Sequence, residues 1–205
     1  MSNGIMSVPI ARREARIEKR EEILRATARL ISRRGIRGLR TADVATEAGV
    51  SPGLLFYHFS DRDGLLDATL EYLDNAARRF RSVLHTDDAS LRESLIRHVV
   101  DEIQDVPELV QVSLVWSEFR SAAVYEPTLR PGIQRATRGW TTMLSDAISE
   151  GQGRGDIGAG DPDVIAQLLT TLVEGFDGRW ATGEMDTGEA RRLLQLAAER
   201  LIPAP

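Results

Sequence analysis

Apolar residues recur along most of this chain at steps of three and four, the spacing that places them on one face of an α-helix. The first example covers residues 16–34, where Ile23, Leu30 and Ile31 share a face and charged residues fill the other. Gly35 follows directly, as glycine does after the last residue of a helix. We therefore predict an opening helix over residues 16–34.

Later helices are separated by helix-start signals. Pro107 and Pro127 each begin an apolar-periodic segment, and Asp161 with Pro162 supplies a cap and a first helical residue for another. The interleaved glycines from Gly151 to Gly160 predict a flexible connector. Because no stretch alternates with a period of two for long enough to indicate a strand, we predict an all-α fold of about nine helices.

Composition narrows the class of protein. The chain has 205 residues, 42% of them hydrophobic, and no cysteine, which excludes disulfides, thiolate metal sites and a cysteine nucleophile. Charge-free runs such as Val164–Val173 span about ten residues, half of what a membrane-crossing helix needs. At the N-terminus apolar residues precede Arg12 and Arg13, the reverse of a signal peptide. We expect a cytoplasmic protein with no membrane segment.

The charge is unevenly distributed. Residues 1–64 hold twelve basic and eight acidic residues, a net charge of +4, whereas the remainder has fourteen basic and 23 acidic residues, a net of −9. The overall charge of −5 therefore hides a basic first third. A basic segment joined to an acidic one is compatible with binding to a polyanion through the first part, although arginine-rich helices can also be merely solvated.

The segment from Thr41 to Arg62 reads as two short helices joined by a tight turn at residues 48–51. The small side chains of Ala45 and Ala48 allow the helices to cross closely, and Gly49 permits the turn. This is the pattern of a helix-turn-helix, whose second helix can enter the major groove of DNA. The hydroxyl of Thr41 could cap the first of these helices.

Several polar groups of this segment suit phosphates. Thr41 brings a hydroxyl beside the free amides of a helix N-terminus, and Tyr57, His58 and Arg62 offer donors at the far end of the second helix. The plain alternative for an aromatic residue or a lone histidine is a structural role in a core.

The run from about Glu22 to Leu66 resembles the DNA-binding domain of the TetR family, one-component repressors that respond to small molecules. The elements that carry the resemblance stand in order: Ile23-Leu24, Ala28, Leu30, Gly35, Thr41, Val44-Ala45, Ala48-Gly49-Val50-Ser51, Gly53, Leu55-Phe56-Tyr57-His58-Phe59 and Leu65-Leu66. Phe56 stands where the family often has tyrosine, and Arg62 where it often has lysine.

We expect residues 1–15 to be a flexible tail, as chain termini commonly are. The resemblance implies a three-helix DNA-binding domain over 16–64 and a helical bundle for ligand binding and dimerisation over 65–205. It implies that Thr41, Tyr57, His58 and Arg62 grip the DNA backbone. The residues implied to face base edges are Ser51, Pro52, Gly53 and Leu54. Arg40 is a further candidate for a phosphate or the minor groove.

A dimer is expected, because a helix-turn-helix protein commonly reads two half-sites related by two-fold symmetry. The last two long helices have apolar faces wider than one partner helix could cover, which favours an interface, although ordinary core would look similar. In TetR-like proteins these helices form an intermolecular four-helix bundle. The candidate interface residues are Leu168, Leu172, Gly175, Phe176, Trp180, Leu193, Leu194 and Ala197.

The middle helices concentrate part of the sparse aromatic content, in a pattern that fits either the wall of a small-molecule pocket or a plain core. The candidate pocket residues are Trp116, Phe119, Tyr125, Trp140 and Met143. The resemblance implies that an unidentified effector bound there shifts the helix starting at Asp61 and separates the reading heads, releasing a double-stranded operator.

Two alternatives remain open. An all-α adaptor protein could carry a purely structural helix-turn-helix. An enzyme is disfavoured, because no nucleophile elbow, acid–base pair or nucleotide-binding loop can be assembled. His85 and His98 lie on different predicted helices without carboxylates at ligand spacing, so we expect neither a metal site nor a cofactor.

Overall fold

The computed structural model describes residues 10–82 and 90–205. Within these ranges the chain forms nine α-helices and one short 3₁₀ turn and contains no β-strand, which confirms the predicted all-α fold. The helices are α1 (Ile10–Arg34), α2 (Thr41–Glu47), α3 (Pro52–His58), α4 (Arg62–Ser82), α5 (Leu91–Val100), α6 (Pro107–Ala123), α7 (Arg130–Arg154), α8 (Pro162–Ala181) and α9 (Thr187–Leu201), with the 3₁₀ turn at Pro127–Leu129.

Helices α1–α3 form a small head around a buried apolar cluster. Ile23 and Ile31 of α1, Val44 of α2 and Leu55 of α3 are fully buried in it. The turns between these helices need left-handed backbone at Gly35 and Gly49, where φ is +72° and +63°. Glycine adopts this conformation without the steric cost that a side chain brings, so both positions are turn residues for a physical reason.

Helix α1 differs from the sequence prediction in its first residue, and helix α2 differs in its cap. Helix α1 begins at Ile10, six residues before the predicted start, and residues 1–9 of the expected tail lie outside the described part of the chain. The prediction that the Thr41 hydroxyl caps α2 is wrong, since Arg40 occupies the cap position and no side chain caps the helix. At α4 the carboxylate of Asp61 accepts the Gly64 N–H at 2.8 Å.

The predicted glycine-rich connector is shorter and more ordered than expected. Helix α7 continues through Gly151 to Arg154 and ends at Gly155, which has φ of +78°. Gly151 is buried, and a Cβ there would lie 2.5 Å from Cδ1 of Ile157. The Gln152 side-chain amide donates to the carbonyls of Gly158 and Gly160 at 3.1 and 2.9 Å. Gly151 therefore allows close packing of α7 against Ile157.

Two apolar cores organise the rest of the molecule. Helices α5, α7, α8 and α9 share the second core, which includes Leu95, Leu144, Leu169 and Leu194. Helices α4 and α6 instead contribute to the core of the head, through residues such as Leu66 and Phe119. The head is thus continuous with α4 and α6. None of the described helices combines the length and apolarity required to span a membrane.

Candidate nucleic-acid interface and ligand cavity

Helix α3 presents a solvent-exposed face because only one side of its two turns reaches the core. The Oγ of Ser51 accepts the backbone N–H of Leu54 at 3.2 Å and caps the helix, while Pro52 occupies its first turn. Ser51, Pro52 and Gly53 are exposed, and Leu54 is half-buried. The four residues predicted to face base edges therefore lie together at the accessible start of α3.

The far end of α3 carries Tyr57, which is 69% exposed, and the half-buried His58. Their rings meet edge to face with centroids 5.4 Å apart. Burial lowers the pKa of His58, and the positive charges of Arg20 and Arg16 lower it further. His58 is consequently neutral near pH 7 in the free protein, with a ring N–H able to donate to a phosphate.

Two arginines of α1, which the sequence pattern did not single out, also lie near this end of α3. The guanidinium of Arg20 lies 5.4 Å from the ring centroid of Phe59, and Arg16, four residues earlier on α1, is exposed. A four-residue step places both on the same side of α1. The four-residue spacing of Arg16 and Arg20 is visible in the sequence. Only the folded structure shows that this side of α1 lies beside the end of α3.

At the other end of the head, Arg40 is exposed and Thr41 is half-buried. The neighbouring Arg37 places its guanidinium 4.8 Å from the ring centroid of Tyr125. Since Arg40 and Thr41 stand where α2 begins, they lie beside backbone amides that α2 leaves without helical partners.

Arg62 is placed differently from the other predicted phosphate ligands. Its Nη1 lies 3.0 Å from Oε2 of Glu126, and its Nη2 donates to the carbonyl of Ile36 at 3.0 Å. The side chain is only about one-third exposed. Arg62 therefore ties the start of α4 to the turn before α2 and to the end of the α6 region, instead of presenting a free guanidinium.

A residue of α6 also binds Ile36 in the turn before α2. The backbone N–H of Ile36 donates to Oε2 of Glu118 at 3.0 Å, so Glu118 and Arg62 bind the donor and the acceptor of one residue. A Cβ at Gly35 would lie 2.7 Å from the same Glu118 oxygen. We refer to Gly35, Ile36, Arg62, Glu118 and Glu126 as the head clamp.

A cavity of about 220 Å³ lies between the two apolar cores. Helices α4, α6, α7 and α8 line it, together with His98 on α5 and the residues just after it. Of the candidate pocket residues, Trp116 and Trp140 form part of the wall. Three of the predicted pocket residues do not line it: Phe119 is fully buried in the head core, Tyr125 is 71% exposed beneath Arg37, and Met143 packs on the second core.

The cavity wall is strongly acidic. Six carboxylic acids line it: Asp74, Asp101, Glu102, Glu108, Glu174 and Asp177. Asp177 is buried, and its carboxylate accepts a hydrogen bond from the hydroxyl of Ser113. Burial raises the pKa of Asp177, an effect that the Ser113 hydrogen bond and the charge of Arg120 oppose. The wall combines negative charge with aromatic surface, which the sequence analysis did not foresee.

Helices α8 and α9 carry an apolar outer surface. Val164 is 53% exposed, Leu168 45% and Leu196 40%. Of the other predicted interface residues, Gly175 is exposed, and Leu172, Phe176, Trp180, Leu193 and Ala197 are half-buried. Leu194 is completely buried in the second core and does not belong to this surface, whereas Leu196 does.

Among the residues that the structure describes, no group of three or more histidine, aspartate or glutamate side chains is arranged to hold a metal ion. His98 is buried, and its Nε2 lies 3.7 Å from an oxygen of Glu102, four residues later on the chain. The expectation that no carboxylate lies at ligand spacing from His98 is therefore wrong. His85, the other candidate, lies outside the described residues.

Two family profiles match this chain. Residues 23–69 match the bacterial regulatory proteins of the tetR family, and residues 92–203 match the C-terminal domain of the BetI-type transcriptional repressor. The first match covers the head and the start of α4. The second covers α5 to α9 and most of the cavity wall.

Curated relatives agree with both matches. The HTH-type transcriptional regulator BetI of Burkholderia thailandensis is 34% identical over 183 residues, which is 87% of this chain and 89% of the relative. BetI of Stenotrophomonas maltophilia is 33% identical over 180 residues, covering 83% and 84% of the two chains.

Solved structures share the whole architecture. A TetR-family transcriptional regulator from Rhodococcus sp. aligns with a TM-score of 0.86 at 47% identity, covering 91% of this chain and all of that one. A transcriptional regulator from Saccharomonospora viridis, solved in complex with choline, aligns with a TM-score of 0.78 at 29% identity, over 91% and 98% of the chains. The chain belongs to the TetR family of bacterial transcriptional regulators and carries a C-terminal domain of the BetI type.

Proposed function

We propose that this protein is a homodimeric repressor that leaves a palindromic operator when a small organic cation binds the cavity. The observation that carries the proposal is that α4 and α6 belong both to the cavity wall and to the core of the head. Leu73 and Asp74 of α4, and Trp116 of α6, line the cavity, while other residues of the same two helices build the head core. A ligand that moves either helix changes the position of the head.

The proposed DNA surface combines both ends of α3 with the start of α2. We assign base-edge contacts to Ser51, Pro52, Gly53 and Leu54, and phosphate contacts to Tyr57 and His58. We assign Arg40 and Thr41 to DNA phosphates near the start of α2. We assign Arg16 and Arg20 to DNA phosphates near the end of α3. These positions are exposed or half-buried, and several side chains are cationic or donate hydrogen bonds, as phosphate contacts require. Arg62 is left out because its guanidinium already has two intramolecular partners.

An organic cation fits the cavity best. Tryptophan faces attract cations through the ring quadrupole, and carboxylates on the same wall add Coulombic attraction in a partly dehydrated site. Trp116, Trp140 and the six acidic residues supply both components. The choline bound by the regulator from Saccharomonospora viridis belongs to this chemical class and is the first compound to test here.

The dimer is assigned to the outer surface of α8 and α9. Contiguous exposed apolar side chains on two adjacent helices are typical of a two-fold interface between helical bundles. We assign to this interface the exposed Leu168 and the half-buried Phe176 and Leu193, and Gly175 has open space that would allow close approach of a partner helix. Residues 16–64 are then the DNA-reading unit and 65–205 the effector and dimer unit, with α4 joining them.

Selection of bound duplexes from random oligonucleotides tests the proposal. We expect a palindromic site whose half-sites are one helical turn or a multiple apart. A matched pair of variants separates this function from a structural helix-turn-helix. Tyr57→Phe removes only a hydroxyl and should weaken binding to the selected site several-fold, whereas Tyr72→Phe on α4 should not. Equal affinity of all three proteins, or no preferred sequence, would contradict the proposal.

A further inference from the structure

The positively charged side chain of Arg120 lies in the cavity wall between Glu174 and Trp116. Its Nη2 lies 2.5 Å from Oε1 of Glu174, and its guanidinium carbon lies 5.4 Å from the ring centroid of Trp116. The side chains of Arg120 and Glu174 are each about one-third exposed. An arginine on the face of a tryptophan, paired with a carboxylate, satisfies the same two attractions that a free organic cation would seek.

The charges of the other wall residues show why the position of Arg120 is unusual. Among the lining residues that the structure describes, Arg120 is the single lysine or arginine, beside six carboxylic acids. Its charge also favours the ionised form of Asp177, so its influence reaches the adjoining part of the cavity. Arg120 is thus an internal cation in a site otherwise built to attract cations.

We propose that Arg120 is an intramolecular stand-in for the effector, occupying the Trp116 face and the Glu174 carboxylate until an organic cation displaces its guanidinium. This inference rests on the proposed function, since it concerns how that cation enters. The displaced guanidinium moves toward solvent, which its partial exposure permits. The protein thereby discriminates against neutral ligands, which cannot replace the lost positive charge beside Glu174.

The location of Arg120 on α6 links this exchange to the head. Arg120 and Glu118 are two residues apart, which places them about 200° apart around the helix. One side of α6 therefore holds the cavity cation, and the opposite side holds the Ile36 N–H of the head clamp. Displacement of the Arg120 guanidinium breaks its ion pair with Glu174 and so removes one contact between α6 and α8. This contact lies close along α6 to Glu118, which holds the head.

The two partners of this ion pair should respond in opposite directions. Arg120→Gln removes the competing cation but leaves Glu174, so the affinity for choline should rise about tenfold, a factor typical of one cation–π contact or ion pair. Glu174→Gln removes the carboxylate that the ligand needs, so the affinity should fall about tenfold. Calorimetric titration with choline measures both changes. Arg138→Gln, at an exposed position of α7 outside the cavity wall, is the matched charge control and should leave the affinity unchanged.

A merely structural ion pair gives a different pattern. Loss of either partner would then loosen the wall and weaken choline binding in both variants, a result that would overturn the inference. Thermal unfolding of each variant shows whether weaker choline binding comes from a loosened wall in a folded protein or from a protein that does not fold. If Arg120→Gln does not fold, Arg120→Lys replaces it: lysine keeps the charge but not the planar group, and choline should again bind more tightly than to the unaltered protein.

A second measurement follows Arg120 directly. The NMR signal of its Nε–H group, assigned with the Arg120→Gln variant, should move when choline saturates the unaltered protein, because the group leaves the Trp116 ring. Dimethylbutanol, the uncharged carbon isostere of choline, should not displace it. An unchanged Arg120 signal at saturating choline would overturn the stand-in role alone, whereas failure of choline and tetramethylammonium to bind any of these proteins would overturn the proposed effector class and this inference together.

Discussion

We expect the buried carboxyl group of Asp177 to make ligand binding in the cavity depend on pH. Burial raises the pKa of Asp177, so between the ordinary carboxyl pKa and the raised value the folded protein binds more protons than the unfolded chain. Stability contributed by this group is therefore present at low pH and is lost as the pH rises through that window. A cation bound nearby favours the ionised carboxylate, so choline affinity should increase as the pH rises through the same window.

Asp177→Asn tests this reasoning. Asparagine can still accept the Ser113 hydrogen bond but carries no charge to bury, so the variant should be more stable than the unaltered protein at pH 7. It should also bind choline more weakly and lose the pH dependence of binding. Urea denaturation and calorimetry at several pH values measure these changes. A variant that is less stable at pH 7, with the pH dependence of binding intact, would contradict the assignment.

Arg62 and Arg20 should have separable effects on DNA binding. Arg20→Ala and Arg16→Ala each remove a proposed phosphate contact, so the slope of log affinity against log salt should fall by about 0.9 per contact. Arg62→Ala breaks the head clamp but removes no phosphate contact, so it should leave the salt slope unchanged and lower the thermal stability. Fluorescence anisotropy with the selected duplex at several salt concentrations checks both. A reduced slope in Arg62→Ala alone would reverse our assignment.

These arginines also show where residue-level prediction stops. The family motif identifies Arg62 by its position after α3, but its partners Glu126 and Ile36 are 64 and 26 residues away along the chain. A local pattern contains no information about such partners. The same reason explains Tyr125, whose aromatic character suggested a pocket wall although the fold places it outside, beneath Arg37.

At the scale of elements, the sequence identified the helices better than their ends. Periodicity and helix-start signals predicted α6 from Pro107 and α8 from Pro162, because proline and the caps act locally. The sequence pattern predicts the end of α7 too early, because Gly151 reads locally as the start of a connector. Its packing against Ile157, six residues further on, is a tertiary contact that outweighs the weak helix propensity of glycine.

Two glycines of α7 provide a matched pair for this conclusion. Gly151→Ala places a Cβ 2.5 Å from Ile157, so it should destabilise the protein by about 1–3 kcal/mol through overpacking. Gly153→Ala in the same helix meets nothing within 4 Å and should stabilise it by about 0.5–1 kcal/mol. Urea denaturation gives both values. If the two variants shifted stability equally, the packing role of Gly151 would be refuted.

At the scale of the whole molecule, the outer surface of α8 and α9 should control both assembly and DNA binding. Leu168→Glu puts a charge into the proposed interface, so sedimentation should show a shift to monomer and affinity for the selected duplex should fall more than tenfold. Val124→Glu introduces the same change at a 63% exposed position away from this surface and should have neither effect. A dimeric Leu168→Glu variant would place the interface elsewhere.

The sequence predicted the helix-turn-helix segment but not the chemistry of the cavity wall. The helix-turn-helix was readable because its glycines, caps and small residues act over a few positions. The acidic, tryptophan-lined character of the cavity was not, because its carboxylates come from α4, from the segment after α5, and from α6 and α8. Charges that lie far apart along the chain become one electrostatic site only when the helices pack.

The central claim is an energetic coupling between the cavity and the head, carried by α4 and α6. It is tested most directly by titrating choline into the free protein and into its complex with the selected duplex. We predict that choline binds the complex about 5–150-fold more weakly, and that saturating choline weakens DNA binding by the same factor, because the coupling is reciprocal. Equal choline affinities of the free protein and the complex would contradict the account.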